Sequence, residues 1–378
     1  MEALAMNLED YRDKRVLVTG HTGFKGAWLC AWLGKLGAKV TGVSLPEPVS
    51  DPSLFESVRD ALDLEDRRID IRDALAFDAV FRETDPDYVF HLAAQPLVRK
   101  SYATPLETWS ANVTGTAHVL ESLRNGQERT RTAVLVTTDK CYLNREWLHS
   151  YREDDPLGGY DPYSASKAAC EILIASYRSS YGLASESLGV ASARAGNVIG
   201  GGDWAEDRIV PDCVRAVAAG VPVEVRNRHA TRPWQHVLDP LAGYLHLGAC
   251  IRRAQVGGDS LGLASLCSAF NFGPDLRSNR SVADLVELVT GQSGGEWGDA
   301  TPADAPHEAS KLNLAIDKAF HLLHWTPRWD FETAVSRTVS CYGDLTKLGC
   351  ATDRLERLGQ DIDEFSIAGV SERGNRPS

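Results

Sequence analysis

The sequence predicts an α/β protein: a doubly wound parallel sheet with helices on both faces, and a second, smaller lobe toward the C-terminus. Three observations predict it. Short β-branched runs alternate with helix-patterned stretches from Arg15 to about Ser192. Strands buried on both faces and separated by helices make a parallel sheet of this kind. After Asn197 the texture breaks into short pieces punctuated by Gly, Pro and Asn. A length of 378 residues also exceeds what one compact core usually serves, so two lobes with a cleft between them are expected.

The elements follow in order. VLVTG (16–20) reads as a strand, FKGAWLCAWLGKLG (24–37) as a helix, and KVTGVS (39–44) and RRIDIRD (67–73) as strands. DALAFDAVFRET (73–84) is helical, YVFHLAA (88–94) a strand, and PLETWSANVTGTAHVLESLR (105–124) helical. TAVLVTT (132–138), the helical PYSASKAACEILIASYRSSYG (162–182) and SLGVASAR (187–194) complete the alternating series. Residues 331–348 read as one more helix, and the chain from about 351 as a polar tail without functional signal.

Composition excludes several functions. A net charge of −12 gives no basic face for a sequence-independent hold on nucleic acid. No apolar run approaches the ~20 residues of a membrane span, and the first residues carry acids where a secretory leader carries bases. A cytoplasmic location with no membrane partner is expected. The eight cysteines form no CxxC pair, and His229, His236 and His246 lack zinc-site spacing. No metal is expected.

The first strand runs into Gly20-His21-Thr22-Gly23-Phe24-Lys25-Gly26, with a helix behind it. Glycines at this spacing allow a tight turn, close approach of a pyrophosphate, and close packing of helix on strand. A dinucleotide is therefore expected, its phosphates at the helix N-terminus. The second strand ends at Ser44, which suits a 2′-hydroxyl and tolerates a 2′-phosphate. No Arg stands beside it in sequence, and Lys25 is the one nearby phosphate partner, so NAD is favoured over NADP. Asp70 and Ile71, read as ending the third strand, are expected at the adenine edge. Residues 1–196 then form the dinucleotide-binding half, with elements returning from about 230–270. Residues 197–348 mainly form the second lobe, to which 270–329 is also assigned, and 349–378 the tail.

Tyr163 and Lys167 lie four apart on a helix announced by Asp161-Pro162, and so share a face. An ammonium beside a phenol favours the phenolate, lowering a pKa of ~10, and such a phenolate can take a proton from a sugar hydroxyl. Just upstream, the strand VLVTTDKCY (134–142) ends in Thr137, Thr138, Asp139 and Lys140.

The glycine turn, HLAAQ (91–95), Asn112 and the YxxxK pair together resemble the extended short-chain dehydrogenase/reductase superfamily of nucleotide-sugar enzymes, over about residues 15–345. Within it, TGHTGFKG, TTDKCY and RPWQHVLDP look like the CDP-glucose 4,6-dehydratase branch. The resemblance implies a Rossmann-type fold holding NAD and a CDP-glucose or related nucleotide-sugar substrate. It implies cofactor contacts from Leu92, Ala93, Ala94, Gln95 and Thr137 as well as from the glycine turn, Tyr163 and Lys167. Thr138 would hold the oxygen being oxidised, and Tyr163 with Lys167 would serve the oxidation at C4. Asp139 and Lys140 would eliminate water across C5 and C6, after which hydride returns to C6. Related dTDP-glucose enzymes carry Asp-Glu there, so which of Asp139 and Lys140 is the base stays open. For the second lobe, substrate contacts are expected from Gln95, Asn197, Arg208, Val210, Arg215, Arg232 and His307, with Arg232 foremost because guanidinium matches phosphate. Another nucleotide-sugar 4,6-dehydratase, a 4-epimerase, or a non-catalytic dinucleotide sensor are the alternatives. A homodimer or homotetramer, packed through helices 105–124 and 162–181, is the expected assembly.

Overall fold

A computed structural model describes residues 8–371 apart from 49, 127–128 and 301–311. Strands β1 (Arg15–Thr19), β2 (Lys39–Ser44), β3 (Leu64–Arg68), β4 (Tyr88–His91), β5 (Arg131–Val136) and β6 (Leu188–Ala195) form one parallel sheet with the strand Ala269–Phe272. Its order, from β3 at one edge, is β3-β2-β1-β4-β5-β6 and then Ala269–Phe272. This is a Rossmann-type doubly wound sheet, and the order reverses between β1 and β4, where such folds open a crevice at the strand C-termini. All six residues of β5 and all eight of β6 are buried, the polar Arg131, Thr132, Ser192 and Arg194 included.

Four elements depart from the sequence reading. The third strand is Leu64–Arg68 rather than 67–73, because the Asp70 carboxylate accepts the Arg72 N–H (2.8 Å) and bends the chain out of the ladder. Asp70 and Ile71 therefore lie beyond the strand. Ala269–Phe272 joins the main sheet beside β6 instead of belonging to the smaller lobe. Helix 105–124 is three pieces, Pro105–Trp109, a wide π turn at Ser110–Thr114, and Gly115–Asn125.

The polar tail is the largest correction. Ala351–Ser371 is a helix whose Leu358, Ile362 and Phe365, spaced four and three apart, are buried. With only every third or fourth residue apolar, its composition reads as polar while one face is not. It covers α1 (Phe24–Lys35): Phe365 stands edge-on to Trp32 and to Trp329, and Lys35 pairs with Asp363 at 2.9 Å. Burying those three side chains contributes about 1.5–3 kcal/mol each. The helix also explains α1, apolar nearly all round because one side meets the sheet and the other meets this cover.

The smaller lobe has its own core, with Ile199, Val210, Trp234, Leu285 and Phe331 among its members. Among the described residues no helix is long and apolar enough to cross a membrane.

Candidate active site

At the end of β5 two neighbouring threonines turn to opposite sides of the sheet. Thr137 donates to Glu171, which also accepts from Ser192 (2.8 Å) and Arg194 (2.8 Å). Burial pushes Glu171 up, but Arg194 and these hydrogen bonds carry it below the ordinary carboxylate range. The Thr137 hydroxyl is thus part of a buried ion-pair network and not turned to a cofactor, as the sequence reading has it. Thr138 instead donates to Asp139 (2.9 Å) and accepts the Lys140 N–H (3.4 Å).

The helix Pro162–Tyr181, started by Asp161 accepting the Ser164 N–H (2.9 Å), brings Tyr163 and Lys167 under the same strand end. Thr138, Asp139, Tyr163 and Lys167 are all buried. Burial pushes the Tyr163 phenol up to about 12, opposed by the hydrogen bond with Thr138 and the charge of Arg208. The expected lowering by Lys167 is therefore overturned in the free chain. The Lys167 ammonium instead donates to the Val136 carbonyl (3.3 Å), and burial lowers its own pKa. Burial also raises Asp139, against the pull of Lys140, Thr138, Lys25 and Arg232. It lowers Lys140, helped by Arg208 and Arg232 and opposed by Asp139. An acid and a base are thus both biased toward their neutral forms. Gly196 closes the site from β6, since a Cβ there would lie 2.8 Å from the Asp139 carboxylate.

The glycine turn is built for close approach. Gly20 has φ 76°, and a Cβ on it would sit 2.7 Å from the Ala93 nitrogen. At Gly26 a Cβ would meet the Gly20 carbonyl at 2.1 Å, so α1 packs onto the turn only as glycine. Gly23 caps α1 without a side chain, and Phe24 lies over Gly200 of the second lobe. First-turn N–H groups of a 12-residue helix are thereby presented at the crevice.

Several expected cofactor contacts fall elsewhere. The His21 ring is fully buried, 3.0 Å from Asp66 and pressed against Gly42, so only its backbone serves the turn. Lys25 faces Arg208, Asp139, Lys167 and Asp203; burial and Arg208 lower it to about 8. It serves the reaction end of the crevice, not the ribose beside Ser44. Ser44 accepts the Thr22 N–H (3.3 Å), and the register of β2 with β3 places Arg68 beside it. Strand pairing, invisible in sequence, supplies an arginine that the reading lacked. Arg68 is held by Asp66 (2.6 Å) and Glu56 (2.7 Å).

Asp70 is clasped by the Arg72 guanidinium (2.8 Å), while Ile71 packs under Gly115. Leu92 and Ala93 donate to the Thr19 carbonyl (3.0 Å) and hydroxyl (3.3 Å), which sets the loop continuing through Ala94. The Gln95 amide is turned into that loop, bonded to Leu97 and Thr108, and Asn112 in the π turn holds the Gln95 backbone and Ser166. Gln95 thus braces the wall instead of reaching a ligand.

On the second lobe, Arg232 and Arg208 reach the reaction centre: both act on Lys140, Arg232 on Asp139 and Arg208 on Tyr163. Asn197 is half-buried at the end of β6, its carbonyl accepting the Gln235 N–H (3.1 Å). Arg215 is turned away, bonded to the Trp204 carbonyl (2.5 Å) and Asp212 (2.9 Å). The Val210 side chain is in the lobe core, leaving its backbone in the first turn of helix Ile209–Ala219. His307 lies outside the described residues. Sequence reasoning missed Asp203, a carboxyl raised by burial and pulled back by the charges of Arg208 and Lys25; its one signal was the GGGDW turn.

Comparison with known proteins fits this geometry. Residues 17–338 match the family model described as GDP-mannose 4,6 dehydratase. A CDP-glucose 4,6-dehydratase of Salmonella typhimurium is 44% identical over 87% of this chain and 90% of its own. A dTDP-glucose 4,6-dehydratase of Streptomyces antibioticus is 30% identical over 87% of this chain and 92% of its own. Among solved structures, a dTDP-glucose 4,6-dehydratase from Streptomyces venezuelae with NAD and TYD bound superposes with TM-score 0.73 at 24% identity, covering 87% of this chain and 97% of that one. On this family match and these identities, the chain belongs to the family described as GDP-mannose 4,6 dehydratase, a family of nucleotide-sugar 4,6-dehydratases.

Proposed function

We propose that this chain converts CDP-D-glucose to CDP-4-keto-6-deoxyglucose, holding NAD throughout the cycle. The observation that carries the reading is the pair formed by the buried Asp139 and the half-buried Lys140 beside Thr138 and Tyr163. A 4-epimerase needs Thr138, Tyr163 and Lys167 but has no work for an added acid and base. The cytidine assignment is supported by the 44% identity to the Salmonella enzyme.

NAD fits the crevice on two observations. Gly20 and Gly26 let the turn and α1 pack backbone on backbone, which leaves the first-turn N–H groups of α1 at the crevice for the pyrophosphate, and Asp66 and Glu56 surround the arginine beside Ser44, where their charge opposes a 2′-phosphate. Held in this crevice, NAD would supply the hydride acceptor for C4 and the hydride donor for C6. Tyr163 takes the proton of the 4-hydroxyl, and Thr138 holds that oxygen. The positive charge of the oxidised cofactor favours the phenolate that the free chain disfavours.

The directions at the pair assign its roles. Lys140, lowered, is the base that removes the C5 proton made acidic by the 4-ketone; Asp139, raised, is the acid that protonates the departing 6-hydroxyl. Water then carries away one proton from Asp139, and the Lys140 ammonium returns its own to C5 as C6 is reduced. The proton taken by Tyr163 replaces the one Asp139 gave up, by exchange with solvent, so that the cycle closes. Arg232 and Arg208 hold the diphosphate, with Asn197 beside them.

The enzyme is cytoplasmic and a homodimer in this reading. Leu106 and Trp109 on helix Pro105–Trp109 and Ile172 on Pro162–Tyr181 are exposed apolar groups on neighbouring helices. Incubation with CDP-, dTDP-, GDP- and UDP-glucose, followed by the ultraviolet absorbance of 4-keto sugars in alkali, tests the proposal. Signal with CDP-glucose first is expected, and no signal with any of the four overturns it.

A further inference from the structure

The segment 203–208 carries Asp203 and Arg208, whose charges act on groups of the reaction centre, and its outer end is tied to the opposite lip of the cleft. Arg99, in helix Val98–Ala103 just after the wall loop, lies 3.0 Å from Asp207. Asp207 has φ 58°, a left-handed conformation that Asp tolerates better than most residues. Its carboxylate also lies 3.3 Å from Arg226, on the second lobe itself. One carboxylate is thus shared between the two sides of the cleft.

The next residue is the one whose place matters. Arg208 is the N-cap of helix Ile209–Ala219 and makes no side-chain capping bond there. Although exposed, it is felt by Lys25, Lys140, Tyr163 and Asp203. A long exposed side chain reaches a fixed point only if the backbone carrying it is fixed. Here that backbone is anchored inside by Tyr342, whose hydroxyl donates to the Asp203 carbonyl. Outside, it is anchored by Arg99.

We infer that Arg99 is a positioning residue whose salt bridge to Asp207 latches segment 203–208 across the cleft and so sets how near the Arg208 charge is held to Tyr163 and Lys140. An ion pair at this exposure is weak, worth about twofold to fivefold in an equilibrium constant. Such a latch opens readily, which suits the rim of a cleft that must admit and release a nucleotide sugar.

The role of Arg208 toward substrate rests on the proposed function, whereas the latch does not, and the test separates them. Arg99→Gln and Asp207→Asn are compared with Arg99→Lys, which keeps the charge; Asn tolerates the left-handed backbone at 207. Hydrogen exchange of the amides in 203–208 is followed in the free protein, and KM and kcat are measured with CDP-glucose. Both charge-removing variants are expected to speed exchange and raise KM by about twofold to fivefold, with kcat falling less, and Arg99→Lys to restore both. Unchanged exchange overturns the latch. Faster exchange with unchanged KM overturns the positioning role. A wild-type protein inactive on every nucleotide sugar defeats the proposed function, while the exchange measurement still decides the latch.

Discussion

Thr137 and Thr138 are neighbours on one strand end, yet they serve opposite electrostatic arrangements. Behind Thr137, Glu171 and Arg194 are both buried and meet at 2.8 Å, with Ser192 and Thr137 donating to Glu171 and the Tyr142 hydroxyl accepting from Arg194. Both ions are pushed toward their charged forms, Glu171 down and Arg194 up. Around Thr138, Asp139 and Lys140 also lie side by side, but burial prevails and moves them the other way. The difference is direct contact. A buried ion pair stays ionised when close hydrogen bonds replace its lost water. One that lacks them is held near neutrality, where proton transfer is cheap. The first arrangement is structure and the second is chemistry, separated by one residue and the alternation of a strand.

Substitutions break the comparison at different places. Removing the base with Lys140→Met is expected to lower turnover by about 10²–10⁴-fold, with NAD and CDP-glucose binding retained by calorimetry. Lys140→Arg is expected to fail as fully, because a guanidinium stays protonated. On the structural side, Glu171→Gln leaves Arg194 uncompensated and should cost about 3–5 kcal/mol of stability in urea unfolding. Asp139→Asn should leave stability within about 1 kcal/mol and abolish turnover, since no structural ion pair depends on it.

A pH profile sharpens the same contrast. Lys140 must be neutral to act, so kcat falls as pH drops through its lowered pKa; Asp139 must be protonated, so kcat falls again as pH rises through its raised one. The expected profile is a bell, and it belongs to the pair rather than to either group. The stability term of Glu171 runs differently. Its folded pKa is depressed, so its contribution is full above the unfolded value and is lost only as acid carries the pH through the folded one. The smallest effect is at the helix start, where Asp161→Ala removes the cap from Ser164 and should cost about 1 kcal/mol.

How much of this was legible in the sequence follows from the range of the forces involved. The strand and helix alternation, the glycine turn and the Tyr163 and Lys167 spacing are local patterns, and they read directly. The role of Thr137 did not, because its partners Glu171, Ser192 and Arg194 come from other elements. Arg68 beside Ser44 required the β2 and β3 register, and Lys25 at the reaction end required the docking of the second lobe. The helix Ala351–Ser371 was missed because the buried apolar Leu358, Ile362 and Phe365 scarcely alter the composition of a 21-residue stretch.

The central claim is that Lys140 takes the C5 proton and Asp139 serves the leaving hydroxyl. Exchange of the C5 hydrogen of CDP-4-keto-6-deoxyglucose in D2O tests it without requiring elimination. The account predicts that Asp139→Asn still exchanges C5 while Lys140→Met does not. Exchange retained in Lys140→Met and lost in Asp139→Asn would contradict it.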